Sequence, residues 1–284
     1  MSTALLLTLL GVFGLMVGSF LNVVIVRVPA GESLLHPPPK CPLCETALAK
    51  RDNVPVLSWL LLRGKCRSCA EPIPSGYPLV ELANAALWIV AGLRFGDTWP
   101  VLPYALLFSV LLALSVIDLE LYILPNKITY PSILVSIVAI PVLSFAFLGD
   151  PVSATLWAYA GGIGFAGVLA VTLIAWELIV HKEGMGMGDV KLALLLGMWV
   201  ALVHPVLPLI ALIASSVIGL VVGVGILIVR RESRAFPFGP WLALGAIVAI
   251  VWSGPILRFY GFTGDNDASG LRPEKSSFEV SVGQ

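Results

Sequence analysis

The chain is divided into apolar runs, each close to the length of one bilayer crossing. They fall at roughly 3–26, 77–95, 100–117, 128–148, 152–180, 189–204, 205–229 and 238–258. A helix rises about 1.5 Å per residue, so about 20 apolar residues cross a hydrocarbon layer about 30 Å thick. A backbone immersed in lipid must satisfy its own polar groups, and a continuous apolar segment does so as a helix. The pattern predicts an all-α polytopic membrane protein with about eight transmembrane helices. Run 189–204 is short and holds Lys191, Trp199 and His204, and Pro205 and Pro208 make it one arm of a hairpin with the next run. The composition agrees: 58% of residues are hydrophobic and 12% charged, with mean hydropathy +0.97, where a soluble domain carries about 25% charged residues. The formal net charge is zero, which leaves no general electrostatic case for nucleic acid as a partner. The first run lacks a basic leader and reads as the first span, not as a cleaved signal.

Orientation follows from Lys and Arg, which favour the cytosolic side of short loops. Thirteen of the 17 fall on one side by parity, seven of them within 27–76; Arg94, Arg258, Arg272 and Lys275 fall opposite. The expected layout is therefore a first transmembrane helix over 1–26 and a cytosolic loop domain over 27–76. A membrane domain over 77–258 follows, and then a polar, disordered tail over 259–284, outside the cell.

All four cysteines lie in the long loop, as Cys41-Pro-Leu-Cys44 and Cys66-Arg-Ser-Cys69, with 21 residues between the pairs. Paired C-x₂-C knuckles at this spacing suit a structural zinc with four thiolates and no open position. A loop of this length cannot build a sufficient core alone, and metal binding supplies closure. Lys40, Lys65 and Arg67 stand beside the sulfurs and are expected to offset their charge. Two disulfides are the other use of four such cysteines, disfavoured in a reducing compartment. Between the knuckles, the apolar stretch 55–62 is too short to span; it reads as the core of the module or as a surface resting on the membrane.

Acids near spans are costly and tend to be functional. Asp118 ends the third run and Asp189 opens the sixth, so both lie on the cytosolic side at one depth. Two adjacent carboxylates cannot both ionise; one keeps a proton and polarises a carbonyl, while the other takes a proton from water. The glycines of Gly184-Met185-Gly186-Met187-Gly188 permit tight turns and close approach by an extended substrate. Other readings stand beside this one. Asp189 is equally placed to cap its own helix, and a Gly-rich break between spans also suits a transporter in which the two aspartates relay ions. His36, His181 and His204 are scattered and form no metal or triad spacing. Glu177 is expected to be paired in the bundle or near the interface, and Glu81 to face the site from the second span. Gly161-Gly162 permits close helix packing, and Phe236-Pro237-Phe238-Gly239-Pro240 starts the last helix.

These residues together resemble the bacterial type IV prepilin peptidases, the prepilin leader peptidase/N-methyltransferase family. The likeness covers about 11–258. It runs through Gly18-Ser19-Phe20-Leu21-Asn22, both cysteine pairs, Leu57-Ser58-Trp59-Leu60 and Tyr77-Pro78-Leu79-Val80-Glu81. It continues through Ile117-Asp118-Leu119 with Leu124-Pro125-Asn126, Gly186-Met187-Gly188-Asp189-Val190-Lys191, and Phe236-Pro237-Phe238-Gly239-Pro240. The resemblance implies a G-x-G-D aspartic peptidase of the bacterial inner membrane, with Asp118 and Asp189 catalytic and Gly186, Gly188, Lys191 and Glu81 shaping the site. It implies zinc on Cys41, Cys44, Cys66 and Cys69. The implied substrates are type IV prepilins and type II secretion pseudopilins, cleaved after a glycine on the cytosolic side. Methylation of the new N-terminus by S-adenosylmethionine follows; a cleavage-only enzyme is the alternative. Many relatives carry Pro-Asp where this chain has Pro125-Asn126, and no glycine-rich nucleotide loop marks the methyl-donor site.

Overall fold

The computed structural model describes residues 2–36, 41, 44–47, 49, 52, 54–181, 186–230 and 237–262. Lys40, Lys50, Arg51, Lys182, Gly184, Met185, Arg231, Arg234 and Phe236 lie outside the described residues, as does the tail from 263 onward.

The described residues form ten helices. In chain order they are α1 (Thr3–Ala30), α2 (Leu57–Leu61), α3 (Gly76–Phe95), α4 (Val101–Leu121), α5 (Asn126–Phe147), α6 (Pro151–Val180), α7 (Met187–Val203), α8 (Leu207–Arg230), α9 (Gly239–Val251) and α10 (Ser253–Phe259). Six of them, α1, α3, α4, α5, α6 and α8, are long and apolar enough to cross a membrane, and α9 with α10 makes a seventh crossing if taken as one bent span. The remaining apolar run forms α7, whose 17 residues reach about 25 Å. It is also the most enclosed helix, buried almost without interruption from Leu192 to Val203. A helix surrounded by other helices need not match the full lipid thickness. The final run departs from a straight span: it bends by 74° between α9 and α10. Arg94 holds the bend, with Nε donating to the Ile250 carbonyl at 3.1 Å and a terminal nitrogen to Ser253 Oγ at 2.8 Å.

Local chemistry explains the helix ends. Ser2 accepts from Leu5 N–H at the start of α1, and Gly31 at φ 75° closes it. Asp150 accepts from Ser153 N–H, with Pro151 at the first position of α6. Pro141 inside α5 cannot donate to the Ile137 carbonyl; the Tyr159 hydroxyl of α6 donates to it instead at 2.6 Å.

Small residues set the helix pairs. A Cβ on Gly14 would meet Ala85 Cα at 2.7 Å, and one on Gly18 would meet Glu81 Cα at 2.7 Å, so α1 and α3 lie antiparallel with backbones touching. Gly161 and Gly162 do the same for α6 against α7: Gly161 meets Ala201, and Gly162 meets the Leu194 carbonyl at 2.9 Å. Ser215 against Gly245 joins α8 to α9. At the centre, Tyr104, Phe108, Leu111, Leu114 and Ile117 form the buried stripe of α4. The Tyr104 hydroxyl donates to the Trp199 carbonyl of α7, and Trp199 Nε1 donates to Ser136 Oγ of α5. The result is an up-and-down bundle in which α4 and α6 end where α3, α5, α7 and α9 begin. That shared end carries the site.

Candidate active site and tetracysteine cluster

Asp118 sits in the last turn of α4 and is 5% exposed; Asp189 sits in the first turn of α7 and is 7% exposed. Both lie at the end of the bundle where α4 ends and α7 begins. Their local settings differ. A carboxylate at a helix C-terminus faces the negative end of the helix dipole, whereas one in the first turn faces the positive end. Asp118 therefore needs a donor from elsewhere, and α9 supplies it: Gly239 N–H donates to Asp118 Oδ2 at 3.2 Å. This amide is one of the orphan donors that every helix N-terminus leaves. Gly239 is required for the contact, because a Cβ there would stand 2.7 Å from the same oxygen. Asp189 does not cap its helix. Gly186 occupies the cap position, and Asp189 N–H donates to the Gly186 carbonyl at 3.0 Å.

Leu124, from the connection between α4 and α5, lies between the two halves of the site. It approaches the hypothetical Cβ of Gly188 at 3.0 Å and that of Gly239 at 3.5 Å. The space left by Gly188 is thus filled by Leu124, whereas among the described residues a Cβ on Gly186 would meet only the backbone of Gly188, at 3.8 Å. Lys191 donates from Nζ to Asn126 Oδ1 at 2.9 Å and lies over the Tyr130 ring at 4.8 Å, tying α7 to the start of α5. Glu81 lies with the tetracysteine module: its Oε2 accepts from Val56 N–H at 2.7 Å. Glu177 is exposed near the end of α6. Gly239 and Leu124 stand in motifs quoted from the sequence, but their contacts at this site were not foreseen. The Gly-Pro pair opening α9 was the available signal, since it marks a helix start free of a side chain.

The sulfurs of Cys41, Cys44, Cys66 and Cys69 all lie within 4.8 Å of one another. The Cys41–Cys69 and Cys44–Cys66 separations are 3.8 and 4.0 Å. These are far from a bonded disulfide at about 2.05 Å. Four sulfurs about 2.3 Å from a central Zn²⁺ stand about 3.8 Å apart at tetrahedral angles, so the cluster fits zinc. The Thr46 side chain, and then its backbone, brings the Cys44 thiol from 9.0 down to about 6. The backbone N–H groups of Cys69 and Ser68 lower Cys66. Cys69 is lowered by a backbone hydrogen bond at Glu71, but desolvation and the neighbouring thiols outweigh this and push it up to about 12. Four thiolates cannot share so small a volume without a cation. Arg67 does not serve as that cation: its guanidinium is engaged with Asp52, at 2.6 Å in the shortest contact. Arg67 thus has a carboxylate partner of its own, and Lys40 lies outside the described residues.

Residues 12–95 match the Bacterial Peptidase A24 N-terminal domain, and residues 105–224 match the Type IV leader peptidase family. A prepilin leader peptidase/N-methyltransferase of Aeromonas hydrophila is 36% identical over 281 residues, covering 89% of this chain and 93% of the relative. One from Pseudomonas aeruginosa is 36% identical over 274 residues, covering 87% and 90%. One from Myxococcus xanthus is 39% identical over 229 residues, covering 80% and 64%. No solved structure matches the chain. With a membrane bundle, a four-cysteine cluster and this degree of identity along nearly its whole length, the chain belongs to the prepilin leader peptidase/N-methyltransferase family.

Proposed function

We propose that this protein removes the leader from type IV prepilins and type II secretion pseudopilins and then methylates the new N-terminus. The observation that supports the reading is that Asp118 and Asp189 are both buried at one end of the bundle, on α4 and α7, with Gly239 N–H on the first of them. The two carboxylates share one proton. The ionised member takes a proton from a water molecule, which attacks the peptide carbonyl after the leader's terminal glycine. The protonated member polarises the carbonyl oxygen and later helps the amine leave. Gly186, which has no side chain, suits close approach by the extended backbone of the substrate, whose apolar helix lies in the bilayer. The pair titrates as a unit, so the proton belongs to both.

The reaction takes place at the cytosolic face of the inner membrane, which fits the excess of Lys and Arg on that side. Methyl transfer moves CH₃ from the sulfonium of S-adenosylmethionine to the freed amine, which loses a proton and leaves S-adenosylhomocysteine. Zinc on Cys41, Cys44, Cys66 and Cys69 closes the loop module, and no chemical step passes through it.

The test is incubation with a purified prepilin in detergent, read by mass. Loss of the leader, followed by a gain of about 14 Da only when S-adenosylmethionine is present, is expected. An uncut prepilin contradicts the reading. Loss of the leader with no methyl gain leaves a cleavage-only enzyme.

A further inference from the structure

Glu81 is a carboxylate only 8% exposed, on the second turn of α3. Its Oε2 accepts a hydrogen bond from Val56 N–H at 2.7 Å, across 25 residues of sequence. Val56 is an unusual partner. It adopts φ 58° and ψ −49°, a backbone region that β-branched residues avoid. The Pro55 carbonyl accepts from Leu57 N–H at 2.5 Å across it. This is a three-residue γ-turn of the strained, positive-φ kind, which persists only where its surroundings hold it.

From this turn the chain leads directly to the metal cluster. Val56 precedes α2, and Ser58 steadies that start by accepting from Val54 N–H at 3.0 Å. From α2, Trp59 Nε1 donates to the Ile73 carbonyl, and the Trp59 ring lies against Gly64, where a Cβ would approach Cζ2 to 2.9 Å. Gly64 and Ile73 flank the Cys66–Cys69 knuckle. On the other side, Glu81 is fixed in the bundle: its Cα lies against Gly18 of α1, and Asn22 Nδ2 donates to the Tyr77 carbonyl one turn earlier.

We propose that Glu81 is a positioning residue, the latch that seats the tetracysteine module on the membrane bundle by holding the strained turn at Val56. A γ-turn leaves its central N–H without an intraturn partner, and the carboxylate supplies one on a rigid helix. Charge-assisted hydrogen bonds are the strong ones, so a single contact suffices to select this geometry. The module then stands at the end of the bundle that carries Asp118 and Asp189, where a freed amine first appears. The effect on methylation rests on the function proposed above; the seating itself does not.

The experiment uses the full-length, zinc-loaded protein as wild type, Glu81→Ala and Glu81→Gln. Amide hydrogen exchange is followed across 54–61, zinc is counted, and methyl groups gained are measured per prepilin cleaved. Glu81→Ala is expected to keep one zinc per chain, to raise exchange across 54–61, and to lower methylation per cleavage by about tenfold. Glu81→Gln keeps an acceptor of the same shape and is expected to restore most of both. The latch is overturned if Glu81→Ala leaves exchange across 54–61 unchanged, or if Glu81→Gln is as damaging as Glu81→Ala. If the wild type fails to cleave prepilin, the proposed function fails, while the exchange contrast still decides the latch.

Discussion

The tetracysteine module and the aspartate end of the bundle each gather acidic groups that repel one another, and they do so by different means. Between Gly31 and Ser75, only Cys41, Ser58 and Gly64 are buried among the described residues. Among the described residues, four of the six non-glycine residues at positive φ, Glu45, Val56, Arg63 and Ala70, lie in this short stretch. A chain so strained and so thinly packed needs a central cation to close it. At the other site, Asp118 and Asp189 stand on two helices whose neighbours are Ile117, Leu192 and other residues almost without exposure. There the packing fixes both carboxylates at one end of the bundle, and a backbone amide from α9 donates to one of them. The comparison teaches that a packed scaffold can impose a repelling pair at little local cost in bonds, whereas an unpacked loop must recruit an outside charge.

The contrast yields graded expectations. Asp118→Asn and Asp189→Asn should each slow leader cleavage by about 10²–10⁴-fold, the range for losing a general acid or base, while the protein still inserts in the membrane. A purified single mutant that cleaves at the wild-type rate would break the comparison at its stronger end. Gly239→Ala should lower cleavage by about 10²-fold, because a Cβ 2.7 Å from Oδ2 displaces the carboxylate without removing it. Methylation of an already cleaved pilin should survive this change, which separates a misplaced acid from a collapsed fold.

Cys44→Ser tests the other region. Zinc sites of this kind are held by about 10–16 kcal/mol, so the variant should lose its zinc and become protease-sensitive across 41–69. Thermal unfolding of the bundle should barely change. Zinc retained at one per chain would show that the module does not depend on all four thiols. The smallest effect belongs to the packed side: Tyr159→Phe frees the Ile137 carbonyl opposite Pro141 and should cost about 1 kcal/mol in unfolding experiments. No measurable cost would mean that another group satisfies that carbonyl.

Much of the architecture was legible in the chain. Continuous apolar runs announced the spans, the C-x₂-C spacing announced the cluster, and acids at the ends of runs announced Asp118 and Asp189. These are local signals, carried by residue type and spacing. That Gly161 and Gly162 permit close helix packing was similarly visible, because small residues in a span have few other uses; that α7 is the partner was not. The hidden features depend on contacts between distant segments. Gly239 contributes a backbone amide, which no residue type advertises, across 121 positions from Asp118. The 74° bend after Val251 has a local cause in Pro255, which cannot donate to the Val251 carbonyl, but its brace, Arg94, comes from another helix. The pairing of Arg67 with Asp52 is of the same kind: adjacency to a cysteine suggested one partner, and the fold supplied another.

The central claim is that the two aspartates act as one unit. The most direct measurement compares residual leader cleavage by Asp118→Asn, Asp189→Asn and the double variant, using purified protein and long incubations. A shared-proton pair predicts that the double variant is no slower than the slower single one, since either change already destroys the unit. Losses that multiply in the double variant would mean that each carboxylate works independently, and would contradict the account.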